Sequence, residues 1–376
     1  MNVVYDLVFF AKEPFGGISR MWMELFRRLP GSPIRPTFIA GPADNLAQKY
    51  IETESFLGGH VVRESRDGFL GKLALLGAWR SLRLLAVNRR PDAAIFHSTD
   101  YINPLLCWGS LKIVTTIHDM VFWDQSDRFA KNIWFWDKRW STYHALKISD
   151  RVITVSEASR DRIAAHFPWA KDKIVVIPHG LDDSFRRAPF RESKERRFLF
   201  VGGRNCYKNF ELLVDAFARF GRDVPGWTLD VVGENASSRE SEALLYRRLG
   251  IADKVIDHGL VEQAELVELM GRAGAVVIPS LNEGFNFPLL EAMGAGAPVL
   301  SSDIPASREL GAGHVRFFSP HSVDSLVEAM RELAERPPSA DRLRDARTHA
   351  HSFTWDRSFS QLIGVYDAVL GTRAAA

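Results

Sequence analysis

The sequence predicts an α/β protein of two domains, each built on a mostly parallel sheet flanked by helices. Three observations carry that prediction. Short runs of consecutive apolar residues recur along the whole chain, and strands apolar at successive positions are those covered on both faces, as in a parallel sheet between helix layers. Longer amphipathic stretches alternate with these runs, the order that βαβ connectivity produces. The length, 376 residues and 42.4 kDa, exceeds one ordinary core and suggests about two domains of roughly 150–200 residues.

In the first half the strands are expected at Val3–Phe10, Pro36–Ala40, Ala93–His97, Ile113–His118, Arg151–Val155 and Ile174–Pro178. The second half repeats the scheme with Phe198–Gly202, Leu229–Gly233, Lys254–His258, Ala275–Pro279, Pro298–Ser302 and Val315–Phe318. Helical periodicity falls between them, for example over Phe210–Phe220, Glu262–Arg272 and Ser322–Glu335. Between the halves Leu181–Arg197 is polar, charged and without period, and is expected to be a linker. Two α/β domains joined there would face each other across a cleft, and open α/β sheets bind ligands at their strand ends.

Composition removes several classes. Lys and Arg number 48 against 46 Asp and Glu, so no charge excess points to nucleic acid. Cys107 and Cys206 are too few for a disulfide framework or a structural zinc site. No apolar run approaches the ~18 residues of a membrane span. Met1–Asp6 has neither a basic nor an apolar signal region, so a cytoplasmic protein is expected. No strand is followed by G-x-G-x-x-G, and G-x-x-x-x-G-K-[ST], H-E-x-x-H and C-x-x-C are missing, which argues against dinucleotide-dependent, P-loop and zinc chemistry. There is no Asp-x-Asp to clamp a metal onto a nucleotide diphosphate. A diphosphate would have to be neutralised by the chain's own cations and backbone dipoles.

The residues for that task are visible. The strand Ala275–Pro279 runs into Ser280-Leu281-Asn282-Glu283-Gly284-Phe285-Asn286-Phe287-Pro288. Pro288 suits the first turn of a helix and pushes Phe287 toward an extended conformation. Glu283 then lies on a loop at a strand's C-terminal end, Gly284 lets the backbone approach a ligand, and Glu291 follows one turn into the helix. Two carboxylates around a helix N-terminus suit a ligand with an anionic middle and hydroxyl-bearing ends, such as a nucleoside diphosphate sugar. The strand Phe198–Gly202 leads through Gly202-Gly203 to Arg204 and Lys208, a bidentate cation and a point cation fit for phosphate. In the first half Gly16-Gly17 opens a helix, and His118-Asp119 closes the strand Ile113–Ile117.

Taken together, Glu283-x7-Glu291, Val201-Gly202-x-Arg204-x3-Lys208-Asn209, Ile117-His118-Asp119, Val152–Ser156, Ile177-Pro178-His179-Gly180 and Tyr366 resemble one family over almost the whole chain. It is the retaining glycosyltransferases of GT-B fold in glycosyltransferase family 4, the "glycosyl transferases group 1". The resemblance implies an acceptor-binding domain over 1–184, a nucleotide-sugar-binding domain over 195–355, and a last helix, 356–376, returning to the first. It implies no metal or other cofactor, Glu283 on the hexose hydroxyls and Glu291 on the ribose. The diphosphate would lie against Arg204, Lys208, Gly202 and the backbone N–H groups of Gly284 and Phe285, with Gly17 closing on the phosphates and His118 facing the reacting sugar. One departure is Asn286, where the family often has a second glycine; asparagine tolerates the left-handed region better than most residues.

The segments Phe96–Tyr101, Asn103-Pro104 and Ile117–Asp119 look most like mannosyltransferase members. That implies GDP-mannose or a GDP-deoxyhexose as donor and a glycan or lipid-linked saccharide as acceptor, in polysaccharide or O-antigen synthesis. A UDP-sugar donor and a GT-B-fold sugar-nucleotide epimerase are the rival expectations. Finally, Gly68–Arg90 carries Lys72, Arg80, Arg83, Arg89 and Arg90 among Leu and Trp with no acid, and Ile133–Trp140 adds aromatics and cations. Either stretch could rest on an anionic inner-membrane surface, or pack into the domain core.

Overall fold

Strand order, more than any single strand, positions the site. The computed structural model describes residues 1–6, 16–39, 61–62, 95–99, 111–124, 133–204, 206–233 and 239–371. Its first sheet contains β1 (Asn2–Asp6), β2 (Arg35–Ile39), β3 (Val61–Val62), β4 (Ile95–Ser98), β5 (Lys112–Ile117), β6 (Arg151–Thr154) and β7 (Ile174–Val176), in the order β3-β2-β1-β4-β5-β6-β7. The second contains β8 (Arg197–Val201), β9 (Thr228–Val232), β10 (Val255–Gly259), β11 (Ala275–Ile278), β12 (Val299–Ser302) and β13 (Arg316–Phe318), in the order β10-β9-β8-β11-β12-β13. Every pairing in both sheets is parallel. Burial agrees with this: β4, β11 and β12 are buried at every position, as strands covered on both faces must be, although only β11 is apolar throughout and β4 and β12 end in His97-Ser98 and Ser301-Ser302.

The chain divides into two units, residues 1–179 with 355–376, and residues 180–354. In the second, Phe198, Phe200 and Val277 of the sheet meet Leu213, Phe217 and Phe220 of the helix Phe210–Asp223 in one core. In the first, the helix Gly17–Phe26 buries Trp22 and Phe26 against Tyr5 and Phe38. The helix Trp355–Leu370 belongs to the same unit and buries Tyr366 completely.

Two expectations need correction. The segment Leu181–Arg197 is no featureless linker: Leu181, Phe185 and Ala188 are buried, and Asp183–Arg186 forms a helical turn capped by Asp182, whose Oδ1 accepts from the Ser184 N–H at 2.8 Å. Those three apolar residues fall at helical spacing, and the Arg186 guanidinium donates to the carbonyls of His351 at 2.7 Å and Phe353 at 2.9 Å. The segment is therefore part of the second unit, which begins at Gly180 and not beyond residue 184. Phe287 is likewise helical, not extended; the boundary conformation is taken by Asn286, at φ 77°. The strand ends Leu7–Phe10, Ala40 and Ala93, the stretches Gly68–Arg90, Asp100–Tyr101 and Asn103-Pro104, and the tail Thr372–Ala376 lie outside the described residues.

Candidate active site

In the second sheet the chain direction of growth reverses between β8 and β11, which lie side by side. Ligands of open α/β sheets bind outside the carboxyl ends of strands at such a reversal. The loops that follow these two strands carry the expected residues of this unit, and the structure stitches them together. The Leu281 N–H donates to the Tyr207 carbonyl at 2.8 Å. Asn209, left-handed at φ 55°, donates from Nδ2 to the carbonyls of Pro279 (3.1 Å) and Pro320 (2.9 Å).

Across this seam Lys208 Nζ donates to Glu283 Oε1 at 2.7 Å, with the two side chains only 15% and 11% exposed. A charge-assisted bond of that length in a half-dry setting keeps the two groups aimed at each other. Lys208 also runs alongside Gly202: a Cβ there would lie 3.8 Å from Lys208 Cε. Gly202 is in turn pressed by Gly233, where an added Cβ would come within 2.4 Å of the Gly202 carbonyl oxygen, at a φ of +126°. Only glycine fits at that contact.

Arg204 stands apart from this pair. Its side chain is 2% exposed; Nη2 donates to Asp257 Oδ2 at 3.0 Å, Nη1 donates to the Gly233 carbonyl, and Nε lies 3.5 Å from Glu242 Oε1. The guanidinium also sits 5.5 Å from the Phe210 ring centroid. Burial pushes the Glu242 carboxyl upward, against the pull of Arg204. The two cations read from the sequence as one phosphate-facing pair are thus held by separate carboxylates. Asp257 and Glu242 gave no signal in the sequence, because they are distant along the chain and belong to no local motif.

Beyond Glu283, Gly284 and Phe285 are buried, and the Phe285 ring meets Phe287 edge to face at 5.4 Å. Asn286 keeps its left-handed conformation with Nδ2 donating to Ser307 Oγ at 3.0 Å. Glu291 is 4% exposed within the helix Phe287–Gly294. Asn205 lies outside the described residues.

In the first unit Gly17 is the exposed first residue of its helix, after Gly16 as cap. His118 follows β5, and its ring centroid lies 6.1 Å from that of His179, which lies 5.6 Å from Trp355. Below them His97 Nδ1 bonds the Tyr366 hydroxyl at 2.6 Å, His97 Nε2 bonds Thr116 Oγ1 at 2.9 Å, and Tyr366 and Tyr5 share a bond at 3.1 Å. Burial, with His118 nearby as a smaller contribution, lowers His97 to about 3. The same two causes take His179 well below its ordinary value. These two imidazoles are neutral at physiological pH. The structure therefore places His118 beside neutral rings, and brings Lys208, Gly202 and Glu283 together in the second unit.

The family follows from comparison with known proteins. Residues 15–185 match the model described as "Glycosyltransferase Family 4", and residues 182–349 match "Glycosyl transferases group 1". Together they span most of the chain, which belongs to the group 1 glycosyltransferases of family 4: retaining enzymes that take a sugar from a nucleotide sugar. Among its relatives is the MMP alpha-(1->4)-mannosyltransferase of Mycolicibacterium hassiacum, 29% identical over 321 residues, 79% of this chain and 75% of that protein. Another is the O-antigen chain mannosyltransferase RfbU of Salmonella typhimurium, 27% identical over 269 residues, 71% of this chain and 72% of the relative. In fold the chain is similar to HepE of Anabaena in complex with UDP, with a TM-score of 0.75 at 18% identity, covering 98% of this chain and 99% of that one. The chain has the GT-B fold, with one parallel sheet in each unit.

Proposed function

We propose that the protein transfers mannose or a related deoxyhexose, with retention, from a GDP-sugar to a glycan or lipid-linked saccharide acceptor in polysaccharide or O-antigen synthesis. The observation that carries this is the Lys208–Glu283 pair at the strand-order reversal, beside Gly202 and ahead of the helix Phe287–Gly294. A donor diphosphate would draw Lys208 Nζ, leaving Glu283 to accept from hexose hydroxyls. The N–H groups of Gly284 and Phe285 would add to the anion site, and Glu291 would take the ribose. Arg204, whose guanidinium nitrogens already meet the Gly233 carbonyl, Asp257 and Glu242, would reach the leaving phosphate by exchanging one of these partners for it. Gly17 and His118 are assigned to the phosphates and to the hexose, in that order.

In the reaction the bond from the anomeric carbon to the diphosphate oxygen breaks through an oxocarbenium-like state. The acceptor hydroxyl bonds to that carbon on the same face, and its proton passes to the departing phosphate oxygen. The chain's contribution is electrostatic, with cations and amides preorganised where charge develops. No Asp-x-Asp occurs in the sequence, so this reading gives the charge on the diphosphate to side chains.

Mannosyl transfer is supported by relatives that are mannosyltransferases, those of Mycolicibacterium hassiacum and Salmonella typhimurium among them. A UDP-sugar donor is the second reading, favoured by the UDP-bound HepE structure. The test is incubation with radiolabelled GDP- and UDP-sugars, with and without acceptor. Slow release of sugar from GDP-mannose, anomeric configuration kept, is expected. Release from UDP-sugars alone would select the second reading, interconversion of sugars would make the protein an epimerase, and binding without turnover would overturn transfer altogether.

A further inference from the structure

A solvent-facing helix stripe is ordinarily polar, and an exposed cluster of large apolar side chains marks a contact surface. The helix Ile133–Ile148 breaks that rule. Its inward face is Ser141, Thr142, Ala145 and Leu146, all buried. Its outward face, at successive steps of four, three and four residues, is Trp136, Trp140, Tyr143 and Lys147. Trp136 is 58% exposed, Trp140 40% and Tyr143 36%.

A fourth ring joins them from a different element. Trp169, on the 3-10 helix Pro168–Lys173, is 52% exposed and meets Tyr143 edge to face at 6.1 Å. Four of the seven exposed large hydrophobic side chains among the described residues therefore come from these two elements. Cations border the rings: Arg139 lies 5.9 Å from the Trp136 centroid, and Lys173 Nζ lies 5.4 Å from that of Trp169. The sequence of the two elements carries five Lys or Arg against Asp137 and Asp172.

We propose that this face docks on the surface of a membrane rich in anionic headgroups, the rings entering at headgroup depth and the cations pairing with phosphates. Tryptophan and tyrosine prefer that depth because each has an apolar body and one polar tip. Lysine and arginine add attraction to an anionic leaflet. Charge complementarity selects a lipid surface over a neutral glycan chain or a second copy, since a second copy would set like charges against each other. Among the described residues no helix is long and apolar enough to cross a membrane, and the contact proposed is peripheral. It stands independently of the donor's identity.

The full chain would be sedimented with vesicles of phosphatidylcholine alone and of phosphatidylcholine with phosphatidylglycerol. The expected result is at least tenfold tighter binding to the anionic vesicles, weakened by high salt and accompanied by a blue shift of tryptophan emission. The triple variant Trp136→Ser, Trp140→Ser, Trp169→Ser should bind about tenfold more weakly while still hydrolysing donor. Should the triple variant fail to fold, the surface variant Lys147→Glu with Lys171→Glu gives the decision, with a threefold or greater loss expected. Equal binding of wild type and variants overturns the proposal, as does failure of the wild type to bind anionic vesicles. So would tryptophan quenching by a soluble glycan without vesicle binding, or a dimer that the triple variant dissolves without changing vesicle binding.

Discussion

The two units solve the problem of buried polarity in opposite ways. In the first, Tyr5, Tyr366, His97 and Thr116 form a closed set in which neutral groups satisfy one another. In the second, the polar interior is ionic: Lys208 with Glu283, and Arg204 with Asp257 and Glu242. A neutral network has nothing left to give a ligand, and its value is in fixing one packing of the sheet on the last helix. An ion pair at a strand-order reversal keeps a cation aimed until an anion competes for it. The contrast teaches where to look for chemistry: the unit with exchangeable partners, not the one with completed bonds.

The sharpest way to break this comparison is Lys208→Ala. If the pair serves a leaving diphosphate, kcat for transfer, measured at a temperature where the variant is folded, should fall about 10²–10³-fold, the loss typical of one preorganised donor group. A variant that turns over normally would make the pair structural. Next comes Gly233→Ala. A Cβ within 2.4 Å of the Gly202 oxygen at positive φ should cost about 2–4 kcal/mol in denaturant unfolding, through overpacking and backbone strain. Activity should fall with it, because Lys208 lies along Gly202.

Tyr366→Phe tests the neutral side. It leaves His97 Nδ1 and the Tyr5 hydroxyl without their shared partner, so a stability loss of about 1–3 kcal/mol is expected from unsatisfied buried groups. Turnover at a temperature where the variant is folded should change far less than in Lys208→Ala. The smallest effect is a slope. His97 stays neutral in the native state down to about pH 3, whereas in the unfolded chain it protonates near 6.5. Above pH 6.5 the group is neutral in both states and contributes no pH dependence. As pH falls from 6.5 toward 3 the unfolded state alone gains a proton, so stability drops by up to about 1.4 kcal/mol per pH unit. Urea unfolding of His97→Gln at several pH values should show a shallower decline than wild type; an unchanged slope would mean that His97 charges in the folded protein.

Much of this was legible beforehand, for identifiable reasons. Strands such as β8, β11 and β12 fall within a residue or two of their expected limits, because consecutive burial writes itself as consecutive apolar residues. β3 has only two residues and no pattern to read. Leu181, Phe185 and Ala188 were hidden among charges, so a packed segment looked like a linker. Phe287 gave way to Asn286 at the helix boundary, where a left-handed asparagine turns the chain and bonds Ser307. For the candidate site, the motif residues could be named, but not their counterions. That Arg204 answers to Asp257 and Glu242 is decided by β9, β10 and the helix Arg239–Leu249 coming together, which no local spacing records.

The return of the helix Trp355–Leu370 to the first unit also orders events during synthesis. Residues 180–354 form one contiguous unit and have all their own parts once they leave the ribosome. The first unit, begun earlier, stays unfinished: Tyr5 and His97 lack Tyr366 until the final helix is made. Folding in order of emergence is the usual habit of multidomain chains; here the earliest-born half closes last.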